Sequence, residues 1–340
     1  MLIRPLSQEF ILPLAGFLTR QRQIETALDP RLWIAPDLED QYVSWLNKIV
    51  PDPDEKIWLA LDDDAQIYGA LETRAKTLSQ DDIRRTYLSP TYGLLPMGMM
   101  AVEPGCWSDI LPALWEVAAA WFQRRNVTQP QAWLNLCNRE ALAAWEKLGF
   151  INLMDHAVGP VAAATSAATA LPEGWRLRPA TYRDIKHIIP LFIEELKFHA
   201  DLPGAYWVQP TTDTTRLARR EIEMFLSGGS DYLYLLAERI SDGKIAGYMS
   251  ASASPPVAWN PNAPFLPPDR GILQVAIVST EFRNLGLGNH MLAYLLDWFH
   301  RHGMTSVSLS YDLSNPLSGP FWRKHNFVPL RRAMVYTFPI

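Results

Sequence analysis

Residues 278–292, VSTEFRNLGLGNHML, join an apolar run to an amphipathic one through Arg283, Gly286 and Gly288. Glycines at such a junction let backbone amides approach a ligand closely and accept positive φ. The start of the following helix leaves further amides unpaired, with a partial positive charge behind them. Arg283 adds a full charge at the mouth. Together these groups form a cradle for a pyrophosphate. The plainer alternative is a glycine-tightened turn that holds nothing, but the flanking strand, the arginine and the amphipathic helix favour the cradle. Two familiar cradles are excluded. Met291 stands where G-x-G-x-x-G needs its third glycine, and no Gly-Lys-Ser/Thr follows.

The groups that could move a proton near this loop are few. Tyr311 and Asp312, late in a strand, are candidate catalytic residues. Gln274 lies on the preceding strand but cannot act as a base. Glu194, Glu195 and His199 end a helix and are candidates to line an amine pocket. His199 with Asp201 reads either as a proton relay or, more simply, as a solvated loop histidine. Tyr206, Trp207 and Trp259 fall in loops, where packing explains each as readily as substrate stacking does. No Cys or Ser nucleophile motif is present. Cys106 and Cys137 have no metal or disulfide spacing and read as small buried apolar residues.

These residues need a frame. The chain has 340 residues, 48% hydrophobic and 20% charged, which suits two globular domains and excludes disorder, collagen and simple coiled coil. Residues 157–174 are rich in Ala, Thr, Pro and Gly with one charge, and read as a linker between domains 1–156 and 175–340. The net charge of −5 divides into −8 before residue 175 and +3 after it, so the second half is the better host for a polyanionic ligand. That balance predicts no nucleic-acid partner. No run approaches the length of a membrane span, so a cytoplasmic protein is expected, and a homodimer is compatible with the sequence.

The second half alternates strands and helices: WRLRP, a helix to about residue 199, a helix over RLARREIEMFL, and a hairpin of DYLYLLAERI and KIAGYMSAS about Ser241-Asp242-Gly243. After an excursion with six prolines over 255–269 come GILQVAIV, a helix over 289–302, SVSLSYDL, a helix over 317–325 and a last strand near 334–338. The first half repeats this order, which points to a duplication.

With these elements in place, Arg283-Asn284-Leu285-Gly286-Leu287-Gly288 resembles the R/Q-x-x-G-x-G/A signature of the GNAT superfamily of acyl-CoA-dependent N-acyltransferases. Residues 315–327, NPLSGPFWRKHNF, resemble the family's N-x-x-A-x-x-F-Y-x-K-x-G-F segment. The resemblance implies an α/β (α+β) fold of two GNAT-like domains. Each would have a mixed, mostly antiparallel central sheet flanked by helices, with strands four and five splayed. It implies acetyl-CoA (coenzyme A) as cosubstrate, no metal, and direct transfer to a primary amine of a small molecule or peptide. Amides across Arg283, Asn284, Leu285, Gly286, Leu287, Gly288 and Asn289 would hold the pyrophosphate. Ala276, Ile277 and Val278 would pair with the pantetheine arm, the Val278 backbone serving as oxyanion donor. Asn315 would hydrogen-bond near the pantetheine and Phe321 would pack on it. Trp322 stands where the family commonly has a tyrosine acid, and Asn326 replaces a glycine. A CoA-binding sensor without catalysis is the rival reading.

The first half keeps the distal segment, NREALAAWEKLGF over 138–150, but reads Gly105-Cys106-Trp107-Ser108-Asp109-Ile110-Leu111-Pro112 where the cradle should stand. Asp109 and Pro112 oppose phosphate binding, so this copy is expected to be degenerate.

Overall fold

The computed structural model describes residues 1–161, 171–203, 206–253, 265 and 267–339. The first half contributes β1 (Leu2–Pro5), α1 (Ile11–Leu28), α2 (Leu38–Ile49), β2 (Glu55–Leu61), β3 (Ile67–Thr77), β4 (Thr91–Leu95), β5 (Met100–Val102), α3 (Trp107–Arg124), β6 (Pro130–Asn135), α4 (Arg139–Lys147) and β7 (Ile151–Pro160). The second half repeats the order with β8 (Trp175–Pro179), α5 (Ile185–Ala200), α6 (Thr214–Leu226), β9 (Tyr232–Arg239), β10 (Ile245–Ser252), β11 (Arg270–Val278), α7 (Leu287–Arg301), β12 (Ser306–Asp312), α8 (Ser318–Lys324) and β13 (Val328–Val335). Among the described residues, no helix is long and apolar enough to cross a membrane.

Strand alternation sends neighbouring residues to opposite helix layers. Leu235 packs with α7 and α8, whereas Leu236 packs with α5 and α6. In the first half, Ala60 faces α3 and α4, and Leu59 faces α1 and α2. Each half is therefore a sheet between two helix pairs. Helix α7 buries Leu287, Met291, Leu292, Leu295, Trp298 and Phe299 as one stripe. It stops at Gly303, whose φ of 73° ends the turn.

The two halves form one continuous sheet, in the order β1-β2-β3-β4-β6-β13-β7-β12-β11-β10-β9-β8, with β5 paired to β3. The pairing is mostly antiparallel; β4 with β6 and β11 with β12 run parallel. The last strands change places. β7, from the first half, pairs with β12 (Asp312 opposite Met154), and β13, from the second, pairs with β6 (Arg331 opposite Asn135). β7 and β13 also pair with each other. The expected linker from residue 157 is corrected at its start. Ala157 is fully buried opposite Leu309, and the strand runs on to Pro160 because β12 and β13 satisfy its backbone on both sides. Residues 162–170 of that stretch, and Trp259, lie outside the described residues.

Cutting between the halves would strip β13 of β6 and β12 of β7. Residues 171–340 expressed alone should therefore aggregate or self-associate, and co-expression with residues 1–161 should restore a soluble pair. Size-exclusion chromatography with far-UV circular dichroism reads both outcomes.

Candidate functional site

β11 and β12 hydrogen-bond only from Arg270 to Ile272 against Ser306 to Ser308. Beyond that point they part. β11 stays with β10, bent by an irregularity at Ser250/Ala251, while β12 stays with β7. Gly247 makes the close approach of β10 to β11 feasible, because a Cβ there would stand 2.3 Å from the Ile277 carbonyl oxygen. The register also fixes where the free groups point. Ser279 N–H donates to the Ala246 carbonyl (2.8 Å), so Gly247 and Val278 form a non-hydrogen-bonded pair. By the alternation of an antiparallel ladder, Val278 and Ala276 then direct their N–H and C=O groups away from β10 and into the splay.

The splay opens on a cavity of about 480 Å³. Its wall includes Ala276, Ile277, Val278, Arg283, Asn284, Gly286, Leu287, Gly288, Asn289, Asn315 and Phe321. These are the residues expected to meet the coenzyme, with one exception: Leu285 does not line the cavity and points to solvent at 46% exposure. The loop is left-handed at Asn284 (φ 67°) and at Gly286 (φ 79°), which immediately precedes α7. Nothing lies within 4 Å of a Cβ built on Gly286, and one on Gly288 would make ordinary contact with Phe321. The requirement at 286 is therefore conformational. Arg283 is held by a bond from Nε to the Val278 carbonyl (3.1 Å) and lies over the Phe198 ring. Asn315 caps the chain into α8, its Oδ1 accepting from the amides of Leu317 (2.9 Å) and Ser318 (3.2 Å). Asn326 takes φ 62°, so it fulfils the role of a glycine there.

The same cavity is lined from α5 by Glu194, Glu195 and His199. Glu194 is engaged, accepting from the amide and hydroxyl of Thr280 (3.0 and 3.1 Å). Glu195 lies one helical turn before His199. Burial pushes its carboxyl up to about 7, against the pull of His199, with Glu221 and Asp312 adding repulsion. His199 is not a solvated loop residue. It ends α5, and its Nδ1 hydrogen-bonds Asp312, which is 4% exposed. Asp201 is not its relay partner and instead accepts from Gln209. Burial works to lower the His199 pKa, but the bond and charge of Asp312 and the charge of Glu195 outweigh it and hold the imidazole above its ordinary value. With Nδ1–H given to the carboxylate, Nε2 is the basic nitrogen.

Two expected catalytic residues are corrected. Asp312 does not line the cavity; it stands behind His199 and shares Oδ2 with the indole N–H of Trp207 (2.8 Å). Tyr311, one residue earlier on the strand, faces the opposite layer among α7 and α8, with its hydroxyl buried and unpartnered among the described residues. Trp322 lines the cavity but is 5% exposed, packed between the rings of Phe321 and Phe327. Cys106 and Cys137 are only part-buried, and burial raises the Cys137 thiol to about 11.

The first half shows why it differs. Asn138, Trp145, Gly149 and Phe150 have the same mutual spacing as Asn315, Trp322, Asn326 and Phe327. Gly149 is likewise left-handed (φ 93°). By this spacing, Glu140 is the counterpart of Leu317 and Asn135 that of Asp312. The Glu140 carboxylate accepts from Gly105 N–H (2.8 Å) and Trp107 N–H (3.1 Å), at the start of α3, where an anionic ligand would have to sit. In the splay between β5 and β6, Arg22 pairs with Glu25 (2.7 Å) and donates to the Met100 carbonyl (2.9 Å). Glu25 accepts from Asn135 (2.6 Å) and Asn138 (3.0 Å). Sequence reading found Asp109 and Pro112 but missed Glu140, Arg22 and Glu25. Only the equal spacing of the two distal segments could have pointed to Glu140.

Residues 199–327 match the family model described as acetyltransferase (GNAT) family. No curated protein matches the chain. Among solved structures, the fold resembles a GCN5-related N-acetyltransferase from Sphaerobacter thermophilus at 15% identity and TM-score 0.63, covering 99% of this chain and 95% of that one. It also resembles a tandem GNAT protein from the clavulanic acid biosynthesis pathway at 17% identity and TM-score 0.55, covering 100% of this chain and 99% of that one. At these identities the shared property is the fold.

A carboxylate placed at 317 should act in the second half as Glu140 does in the first. Leu317→Glu should weaken coenzyme A binding roughly 10- to 100-fold, since a charge-assisted bond contributes about 1.5–3 kcal/mol. Isothermal calorimetry on the full chain measures it.

Proposed function

We propose that this chain, whose second half carries a domain of the GNAT acetyltransferase family, moves an acetyl group from acetyl-CoA to a primary amine by direct attack in a ternary complex. The carrying observation is one continuous cavity. Its wall carries the left-handed loop and α7 N-terminus together with Val278, Glu195 and His199. The family match and the fold support acyl transfer in general terms.

In this reading the amides across 283–288 and the Arg283 guanidinium bind the pyrophosphate, the Asn289 N–H being given to the Gly286 carbonyl (3.0 Å), and the open edge of 276–278 receives the pantetheine arm. Val278 N–H donates to the thioester oxygen as negative charge develops there. The amine reaches the site as an ammonium, attracted by the carboxylates, and must lose a proton before it attacks. Among the described residues, Glu195 and His199 Nε2 are the groups at the cavity best placed to take that proton, Glu194 being engaged by Thr280, and Asp312 stabilises the imidazolium. Attack forms the N–C bond and leaves the nitrogen cationic; collapse breaks the C–S bond, the nitrogen gives its second proton to Glu195 and thence to solvent, and the proton held by His199 passes to the departing thiolate. A phenol acid is not required. Trp322 offers only an indole N–H, a donor and a negligible acid, and it serves as packing, as its counterpart Trp145 does in the first half at 0% exposure.

The base must be unprotonated to act. With Glu195 near 7 and His199 held above its ordinary value, kcat/KM should fall as pH drops through neutrality and level off only on the alkaline side of it. Glu195→Gln and His199→Gln should each lower kcat by about 10²-fold with KM for acetyl-CoA little changed. Release of free thiol from acetyl-CoA across a panel of amines tests the reading. Stoichiometric CoA binding with no thiol released by any amine would leave the sensor.

A further inference from the structure

Besides the pairing of β7 with β12 at Asp312, the first half reaches the proton-accepting pair through an aromatic side chain. Tyr87, between β3 and β4, packs edge-on against Trp207 (5.6 Å between centroids) and Phe192 (5.8 Å). Its hydroxyl donates to the buried Glu221 of α6, and its carbonyl accepts from Val208 N–H (3.4 Å). Trp207 lies in the loop after α5, and its ring rests on the His199 ring (5.2 Å) while its N–H donates to the same Asp312 oxygen that His199 holds. Asp312 Oδ1 has no partner among the described residues. The orientation of its carboxylate therefore depends on the two bonds at Oδ2. Arg216 and Arg220 of α6 anchor the same first-half segment, through Asp81 (2.6 Å to its carboxylate, 3.0 Å to its carbonyl).

We propose that Tyr87 is a positioning residue, through which the first half seats Trp207 on Asp312 and thereby fixes the Asp312–His199 pair. The duplicated half thus contributes to the second half's chemistry without entering its cavity. The groups that set the charge of His199 are Asp312 from β12 and Glu195 from α5; Glu221 from α6, with Tyr87 and Tyr248 beyond it, acts on Glu195. Tyr87 carries no charge at neutral pH, because burial raises its hydroxyl well above the ordinary value. Its influence on His199 is therefore geometric.

The role of His199 as a base rests on the function proposed above; the coupling to Tyr87 does not, and an NMR titration of the His199 ring in the full chain reads it without any substrate. Tyr87→Ala should lower the His199 pKa by about one unit, because the Asp312 bond is lost while burial remains. Tyr87→Phe, which keeps the ring, should restore the titration while lowering the melting temperature, since Glu221 loses its donor. With a turned-over amine, Tyr87→Ala should lower kcat about tenfold, leave KM for acetyl-CoA unchanged and move the acidic limb of the pH profile with the NMR value. If Tyr87→Ala does not fold, Tyr87→Leu carries the test. A His199 titration unchanged in the folded Ala or Leu variant overturns the proposal, as does a Phe variant that titrates like Ala. Failure to find any acetylated amine, with the titration shifted as expected, would count against the proposed function alone.

Discussion

The exchange of β7 and β13 is the constraint on which the rest depends. A splayed pair of strands needs each arm held from outside, or the hydrogen-bonding groups released by the splay would draw them back together. In the second half β10 holds one arm and β7, supplied by the other half, holds the other. In the first half β13 returns the favour along β6. Neither splay can be assembled by one half alone, and the cavity is a property of the joined sheet.

The two splays then meet different fates. In the second, β11 has no partner strand on the cavity side beyond Ile272, and apart from the Val278 carbonyl, held by Arg283, its edge and the helix start face the cavity. In the first the same kinds of group are satisfied internally. Arg22 answers a β5 carbonyl, Glu25 answers two asparagines, and Phe265 from the second half fills the space above Gly98, where a Cβ would stand 2.4 Å from its ring. Buried ions are costly unless their bonds are complete. Arg331, pushed down to about 10 by burial and by neighbouring Arg270, is held by Asn135 Oδ1 (3.2 Å) and the Phe265 carbonyl (3.0 Å).

Local signals carried the fold: the alternation of DYLYLLAERI and KIAGYMSAS, the stripe of α7 and the glycine-bearing loop at 283–289 all lie within single elements. The cradle was legible for the same reason, since a backbone site is written in the residues that shape the backbone. The candidate proton acceptors were named from the sequence, but their pairing was not legible. Asp312 and His199 are 113 residues apart, and which face of β12 holds Tyr311 is decided by one residue of register that no local pattern specifies. Strand exchange was equally invisible, because β7 and β13 have ordinary strand patterns that suit either neighbour. The Ala- and Pro-rich composition that marked a linker hid the last residues of β7.

Glu140 has a thermodynamic consequence. A ligand that binds only the native state stabilises it by RT ln(1 + [L]/Kd). On the proposed function, the second half would gain that increment only when its ligand is present. The first half carries its anion on its own chain, at a fixed and permanent effective concentration. On that reading one copy of the fold responds to its surroundings while the other is constitutively saturated. Through the shared strands, the saturated copy gives the responsive one a framework already assembled before any ligand arrives.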